Sequence, residues 1–581
     1  MAVKFRKRRI LIAGYTAFLS ICIGHATPQQ AVEELQREPT VSGRYGGRLI
    51  AAQKAEPKTF NPLTAVDAPS REVMGLITGD LVHINRFSFQ TEPALAKSWT
   101  VSEDGRVYVL RLRRGVRFSD GYPMDADDVL FTFRACLDKQ TEAPQRDLLI
   151  IQGKPVTVRK IDAYTVQFEL AAPYAAAERL FDSVAILPHH LLFKAYQEGN
   201  LSRAWGLNTR PDEMAGLGPF RLKAYVPGQR IVLERNPYYW KTDRHGRRLP
   251  FLDEIVLAFV PNEDIQMVQF LAGSLDILSS ISAQNFLQLK TNARSSNFRT
   301  YDLGPGLEYN FLVFNMNEPE KHADADVGTK QLWFRNLAFR RAVSAAIDRQ
   351  AIVSLVYRGL ADPIWEHVTP GNKLWIDPQI ARSPYSPTDA RSILRSAAFS
   401  WRDGALIDAQ GKPVEFSILT SAGNLQRAQI ATIVQQDLQQ LGIATSVVSL
   451  EFGTMLNRIL KQFDYDAAVM TLASGDADPN SEMSVWLSDG GLHVWNLTGK
   501  PQTPWESEID RLMRLQMITL RYPERRRLYD RMQQLVAENL PIVCVASPHI
   551  LVAATSRLRN FQPAVLRSYA FWNAEILFLS E

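Results

Sequence analysis

Two apolar spacings run through this chain, a period of two and a period near 3.6, and they alternate irregularly. From Val107 to Leu112 apolar and polar positions alternate, with Tyr108, Leu110 and Leu112 on one face, which predicts a strand. Asp125 then opens a helix by a D-x-x-D pattern, with Val129, Phe133, Cys136 and Leu137 on one stripe. A long helix is expected from about Leu337 through Phe339, Val343, Ile347, Leu355 and Val356, stopped by Gly359. Two more are expected to start at prolines: at Pro387 with Ser386 as cap, and at Pro523 running to Asn539. The segments Glu254 to Phe259, Phe311 to Phe314, Val414 to Leu419 and Asp466 to Leu472 have the composition of buried strands. Mixed strands and helices of this kind predict an α/β or α+β protein. After residue 43 no long Gly/Ser or Pro-rich run interrupts the pattern, which fits lobes joined by crossing strands rather than by linkers.

The 581 residues are 46% hydrophobic and 22% charged, ordinary for a folded protein. The formal charge of +5 comes from the first 26 residues, which hold Lys4, Arg6, Lys7, Arg8 and Arg9 and no acid. Without them the basic and acidic residues balance, so no overall positive field for nucleic acid or anionic lipid remains. The same 26 residues read as an export signal: a basic start, an apolar run from Ile10 to Gly24, then Gly24-His25-Ala26 with small residues at the cleavage positions. That run is shorter than the roughly 20 residues a spanning helix needs; the competing reading is a retained anchor. A lipid anchor on Cys22 is disfavoured by the bulky Ile21 before it. Residues 27–43 are expected to form a flexible lead-in. Cys136 and Cys544 remain; they could pair in an oxidising compartment, and inert core thiols are the alternative.

Catalytic signatures are scarce. There is no G-x-S-x-G, P-loop, H-E-x-x-H or C-x-x-C, and Gly304-Pro305-Gly306 has Tyr309 where a dinucleotide fingerprint needs its third glycine. No cofactor and no metal are expected. His189-His190 fits a capping or solvated pair, and Arg525-Arg526-Arg527 a solvated helix face. Trp365, Trp375, Trp486 and Trp495 sit in loop-rich contexts where exposed aromatics serve ligands. The strand Ala467 to Leu472 runs into Ser474-Gly475-Asp476-Ala477-Asp478-Pro479. Asp478 before a proline is a natural helix cap. Asp476 has no such local duty and sits past a strand's carboxyl end, where α/β sheets bind ligands; an Asx-turn is its bland alternative.

Several segments together resemble the family 5 extracellular solute-binding proteins, the dipeptide and oligopeptide receptors of bacterial ABC importers. They are Pro57 to Pro62, Phe118-Ser119-Asp120-Gly121 with Asp127 to Phe133, Gly218-Pro219-Phe220 through Leu233 to Trp240, and Arg340-Arg341-Ala342-Val343 with Ala346-Ile347-Asp348-Arg349. The resemblance implies a two-lobed periplasmic-binding-protein clamshell (type II-like) with an extra inserted lobe. Lobe I would combine residues 44–82, 217–306 and 547–581; lobe II would be 83–216 and lobe III 307–546. It implies a periplasmic or cell-envelope, monomeric, non-enzymatic receptor that delivers a peptide or other small polar solute to an ABC permease in the inner membrane. A non-transport sensor on the same fold is the alternative, and a hydrolase using Asp476 and Asp478 a remote one. By the same resemblance Asp476 would meet the ligand's ammonium. Gly475, Ser474, Thr420, Ser421, Asn424, Tyr309, Asn310, Trp365 and Trp495 complete the expected lining. The sequence departs from the dipeptide binders in two places: no Arg precedes Arg427 in the loop after Leu419, and Ala473 replaces an aromatic. Removing the Asp478 charge by Asn, which also caps helices, is expected to change little.

Overall fold

A computed structural model describes residues 33–292, 297–317 and 325–580; the proposed leader, with Cys22, lies outside the described residues. Its organising element is one long strand, Ile542–Thr555, whose side chains are buried along most of its length. The first half of that strand pairs with Glu308–Phe314 and the second half with Phe298–Pro305, both antiparallel. A twelve-stranded mixed sheet is built outward on both sides. One side continues through Ile277–Leu278, Arg48–Gln53 and Glu254–Phe259 to the hairpin Phe220–Val226/Arg230–Arg235. The other continues through Ala467–Ala473 and Glu415–Ser421 to Ala444–Leu450. A separate four-stranded antiparallel sheet, Ala96–Val101, Val107–Leu112, Thr165–Glu169 and Thr157–Asp162, lies within the stretch between the first strand and the hairpin.

Burial follows this division. Val543 to Ala546 belong to an apolar core made by residues 309–546, while Leu551 and Ala553 join a smaller cluster with Phe286, Leu289 and Phe298. A third core unites Leu49, Phe60 and Ile255 with the four-stranded sheet. The long strand is thus shared by separate cores, and its hydrogen-bonded ladder ties them together. Cys136 and Cys544 are free, buried in different cores.

The predicted elements are present with local differences that have physical causes. Asp125 caps Ala126–Leu137, and Asp128 reaches back to the Asp125 amide at 2.9 Å. The expected long helix from Leu337 is two helices, Leu337–Ala346 and Arg349–Val356. Ile347 turns extended, and the Asp348 carboxylate caps the second helix at the Ala351 amide. Residues 33–43 are not a loose lead-in: Gln36–Arg37 runs parallel to Lys241–Thr242, and Glu34 holds Lys97 at 2.7 Å. His190 is neither a cap nor solvated; it meets Asp120 at 2.7 Å and stacks on Tyr122.

The Arg340 … Arg349 motif serves the core. Arg340, 3% exposed, donates to the carbonyls of Phe334, Asn539 and Leu540, closing the end of the helix Tyr522–Asn539. Arg349, 4% exposed, donates to the carbonyls of Ile364, Cys544 and Ser344 and to the Ser344 hydroxyl. It therefore ties both helices to the long strand. Arg349→Met should cost roughly 2–4 kcal/mol, because apolar replacement strands buried carbonyl acceptors. Urea melts of the two proteins test this; an unchanged midpoint would show that the carbonyls are satisfied without the guanidinium.

Candidate functional site

Where the sheet halves meet, the strands Glu308–Phe314 and Ala467–Ala473 run antiparallel with Glu308 opposite Ala473 and Asn310 opposite Thr471. Alternation puts Glu308, Asn310 and Thr471 on one face. Thr471 donates its hydroxyl proton to Asn310 Oδ1 at 2.7 Å, and the Asn310 amide donates to the Tyr357 hydroxyl at 3.0 Å and the Ala546 carbonyl at 3.3 Å. This face opens on a cavity of about 230 Å³ also lined by Asn424, Tyr357, Tyr569 and His549, and across it by Lys54, Glu263 and Ser282. Asn424 is the cap of the helix Leu425–Gln440, its Oδ1 accepting from the Arg427 amide at 2.9 Å. Thr420 and Ser421 lie at the end of the neighbouring strand, buried, with hydroxyls that have no partner among the described residues. Of the expected residues, then, Asn310 and Asn424 line the cavity. Among the described residues, no group of three or more His, Cys, Asp or Glu is arranged to hold a metal ion.

Asp476 stands elsewhere. Both of its oxygens take Nη1 of Arg179, at 2.5 and 2.7 Å, and Oδ1 accepts from the Ala477 amide. Arg179, from the short helix Ala177–Leu180, also donates to the Phe89 carbonyl and lies 3.7 Å from Asp478. The carboxylate expected to await a ligand cation is paired within the chain, by a residue 297 positions away that no local pattern reveals. Burial pushes the Asp476 carboxyl up, and Arg179 pulls against it. Around the pair Ile84, Phe89, Leu307, Ala477 and Leu566 form a small apolar cluster. Ser474 donates to the Asp476 carbonyl at 2.7 Å, and a Cβ on Gly475 would meet nothing within 4 Å.

Asp478 caps the turn beginning at Pro479, as expected, and it does more. Arg525 grips both of its oxygens at 2.7 and 2.6 Å, and both side chains are 6% exposed. The expectation of a solvated arginine face is therefore corrected: Arg525 is buried, Arg526 is half-buried on Asp530, and only Arg527 is exposed. So is the expectation that Asp478→Asn is harmless.

The loop aromatics are not exposed. Trp495 and Trp486 are wholly buried, 5.7 Å apart between ring centres, and Trp375 is buried too. Trp365 is half-buried, its indole donating to the Ser383 carbonyl at 2.7 Å under the Arg349 guanidinium. Tyr309 points to the face opposite Asn310 and is 1% exposed. None of these lines the cavity. Near Tyr309, Glu482 accepts from the Trp486 indole at 2.9 Å, and burial pushes its carboxyl up to about 7. What the sequence reading missed is Glu308. The signal was present: a carboxylate inside the apolar run Leu307-Glu308-Tyr309-Asn310-Phe311.

Two outcomes follow from these buried charges. Asp478→Asn should destabilise the fold by about 3–5 kcal/mol, since it leaves Arg525 buried with its charge uncompensated. Asp478→Asn combined with Arg525→Met should recover much of that loss; a single variant as stable as wild type contradicts the assignment. Glu482 keeps its proton in the fold up to about 7, whereas an unfolded glutamate loses it near 4.5. The stability it lends is full below pH 4.5 and is lost as the pH rises through 7. Glu482→Gln should remove that slope, so denaturant melts of both proteins at pH 4.5 and 7.5 should diverge only at the higher pH.

With this geometry in view, comparison with known proteins is specific. Residues 90–493 match the family described as bacterial extracellular solute-binding proteins, family 5. The chain is 25% identical over 557 residues to the oligopeptide-binding protein AppA of Bacillus subtilis, covering 94% of this chain and 93% of that one. It is 25% identical over 556 residues to di/tripeptide-binding protein 1 of Pseudomonas aeruginosa, covering 92% and 95%. The structure of AppA from Bacillus subtilis in complex with a nonapeptide superposes with a TM-score of 0.71 at 24% identity, covering 93% and 100%. NikA from Brucella suis in complex with Fe(III)-EDTA gives 0.76 at 19%, covering 92% and 100%. The fold is that of a two-lobed α/β clamshell, and the chain belongs to the family 5 bacterial extracellular solute-binding proteins.

Proposed function

We propose that this protein captures a peptide-like solute in the cavity between its sheet halves and presents it to an ABC-type importer in the inner membrane. The observation that carries this reading is the polar cavity where the halves meet, walled from one side by Asn310, Thr471 and Asn424 and from the other by Lys54, Glu263 and Ser282. A solute touching both walls favours the arrangement in which they face each other, which is how a receptor couples binding to closure. Lobe I would be residues 44–82, 217–306 and 547–581, lobe II 83–216 and lobe III 307–546. The protein would act outside the cytoplasm, as a monomer and without catalysis. Its leader would be removed near Thr27, and among the described residues no helix is long and apolar enough to cross a membrane.

The test is to recover the exported protein from its native envelope and identify co-purified small molecules by mass spectrometry. Small-angle scattering before and after ligand removal should show a larger radius of gyration in the emptied protein. A mature chain that begins at Met1, or scattering that does not change with occupancy, would overturn export or closure respectively.

A further inference from the structure

Besides its tyrosines, the cavity is lined by one lysine, two glutamates and one histidine, Lys54, Glu263, Glu308 and His549, and three of these four are already matched. Lys54 and Glu263 stand 3.7 Å apart, and Glu263 also accepts from the Ser282 amide and the Asn285 side chain. His549 lies between Asp302 and Asp362, at 2.8 and 3.2 Å. Glu308 differs. Among the described residues, no cation stands within ion-pair distance of its carboxylate, and no side chain or amide donates to it. Glu308 is half-buried, and a cavity carboxylate with no partner in its own chain is a candidate site for a ligand's cation.

The surroundings define the missing partner. Ala473, directly opposite on the neighbouring strand, puts only a methyl beside Glu308. Asn310 is saturated: its oxygen accepts from Thr471 and its amide donates to Tyr357 and Ala546. Since the Tyr357 oxygen accepts from Asn310, its own proton remains to be donated. Arg427 does not line the cavity: its guanidinium lies 5.6 Å over the Phe452 ring, and its buried Nε has no partner among the described residues. Burial pushes the Glu308 carboxyl up, and the charges of Arg567 first and Arg427 second oppose that push. Neither is bonded to it.

We infer that Glu308, rather than Asp476, is the carboxylate that receives the solute's ammonium group, with the Tyr357 hydroxyl meeting an acceptor on the same solute. This assignment rests on the receptor reading above and names the class of solute: one carrying a primary amine together with a carboxylate or carbonyl. Asp476 does not compete for the amine, because Arg179 already neutralises it.

The probes are a library of tri- to nonapeptides without lysine or arginine, the same library N-acetylated, and spermidine, each read by mass spectrometry of what the emptied protein retains. Wild type should prefer the free-amine library by about 30-fold or more. Glu308→Gln should lose that preference and Asp476→Asn should keep it. Without ligand, Glu308→Gln should melt no lower than wild type, since it removes a charge that has no ion-pair partner among the described residues. Retention of acetylated peptides as well as free ones, or a preference that survives Glu308→Gln, overturns the inference and leaves the receptor reading standing. Retention of spermidine alone, lost in Glu308→Gln, overturns the peptide reading and the amine-with-acceptor solute class inferred from it. Retention of no amine-bearing probe overturns both.

Discussion

A charge removed from water needs a partner, and that single requirement accounts for much of this structure. Arg340 and Arg349 are buried, and each spends its donors on backbone carbonyls at places where elements end or meet. Asp478 is buried and held by both nitrogens of Arg525. Arg179 faces Asp476 directly and Asp478 at longer range, so the four side chains alternate in sign from the helix Ala177–Leu180 to the helix Tyr522–Asn539. Such a chain is worth little as net stabilisation against an apolar core of the same shape, because desolvation offsets most of the attraction. What it does supply is registration. A displaced member leaves its neighbour uncompensated, so the turn Ser474 to Asp478 has one favourable position.

The same turn links parts of the chain that the main sheet does not. Arg179 comes from the region that carries the four-stranded sheet, and Asp476 from the far half of the large sheet. With the Ile84, Phe89, Leu307, Ala477 and Leu566 cluster, the pair closes a contact that depends on the present angle between those regions. A movement that separates them must expose the apolar cluster and return both charges to water. The first cost is hydrophobic and the second is partly repaid by hydration, so the contact biases the arrangement without locking it.

Much of the fold is legible in the sequence because its signals are local. The Asp125 cap, the Ser386 and Asp478 caps before prolines, and the apolar runs at 311–314 and 467–472 each state their structure within a few residues. The break at Ile347 was legible in principle, since Asp348 is a cap as readily as it is a helix residue. The site was less so. Asp476 looked unclaimed because its claimant is Arg179, and Arg525 looked solvated because its acceptor lies 47 residues away. Trp495 and Trp486 lie outside long elements yet fill a core, since loop context does not fix exposure. Local pattern reports which groups need partners and is silent on which partners tertiary packing brings.

Glu308 is informative for the same reason, read in reverse. Among the four acidic, lysine and histidine side chains that line the cavity, Glu308 alone has no ion-pair partner among the described residues, and it sits on a strand of the main sheet. Its backbone carbonyl is fixed by the Ser547 hydroxyl at 2.7 Å, next to the point where the long strand changes neighbours. The backbone that carries the carboxylate is therefore fixed while the carboxylate has no ion-pair partner, which lowers the reorganisation that binding a cation requires. A receptor whose recognition group were already paired would have to break that pair before admitting a solute, and the solute's charge would then gain only the difference between two ion pairs. An open Glu308 would have only water to give up, so a ligand cation meeting it would not first have to displace a competing cation of the chain.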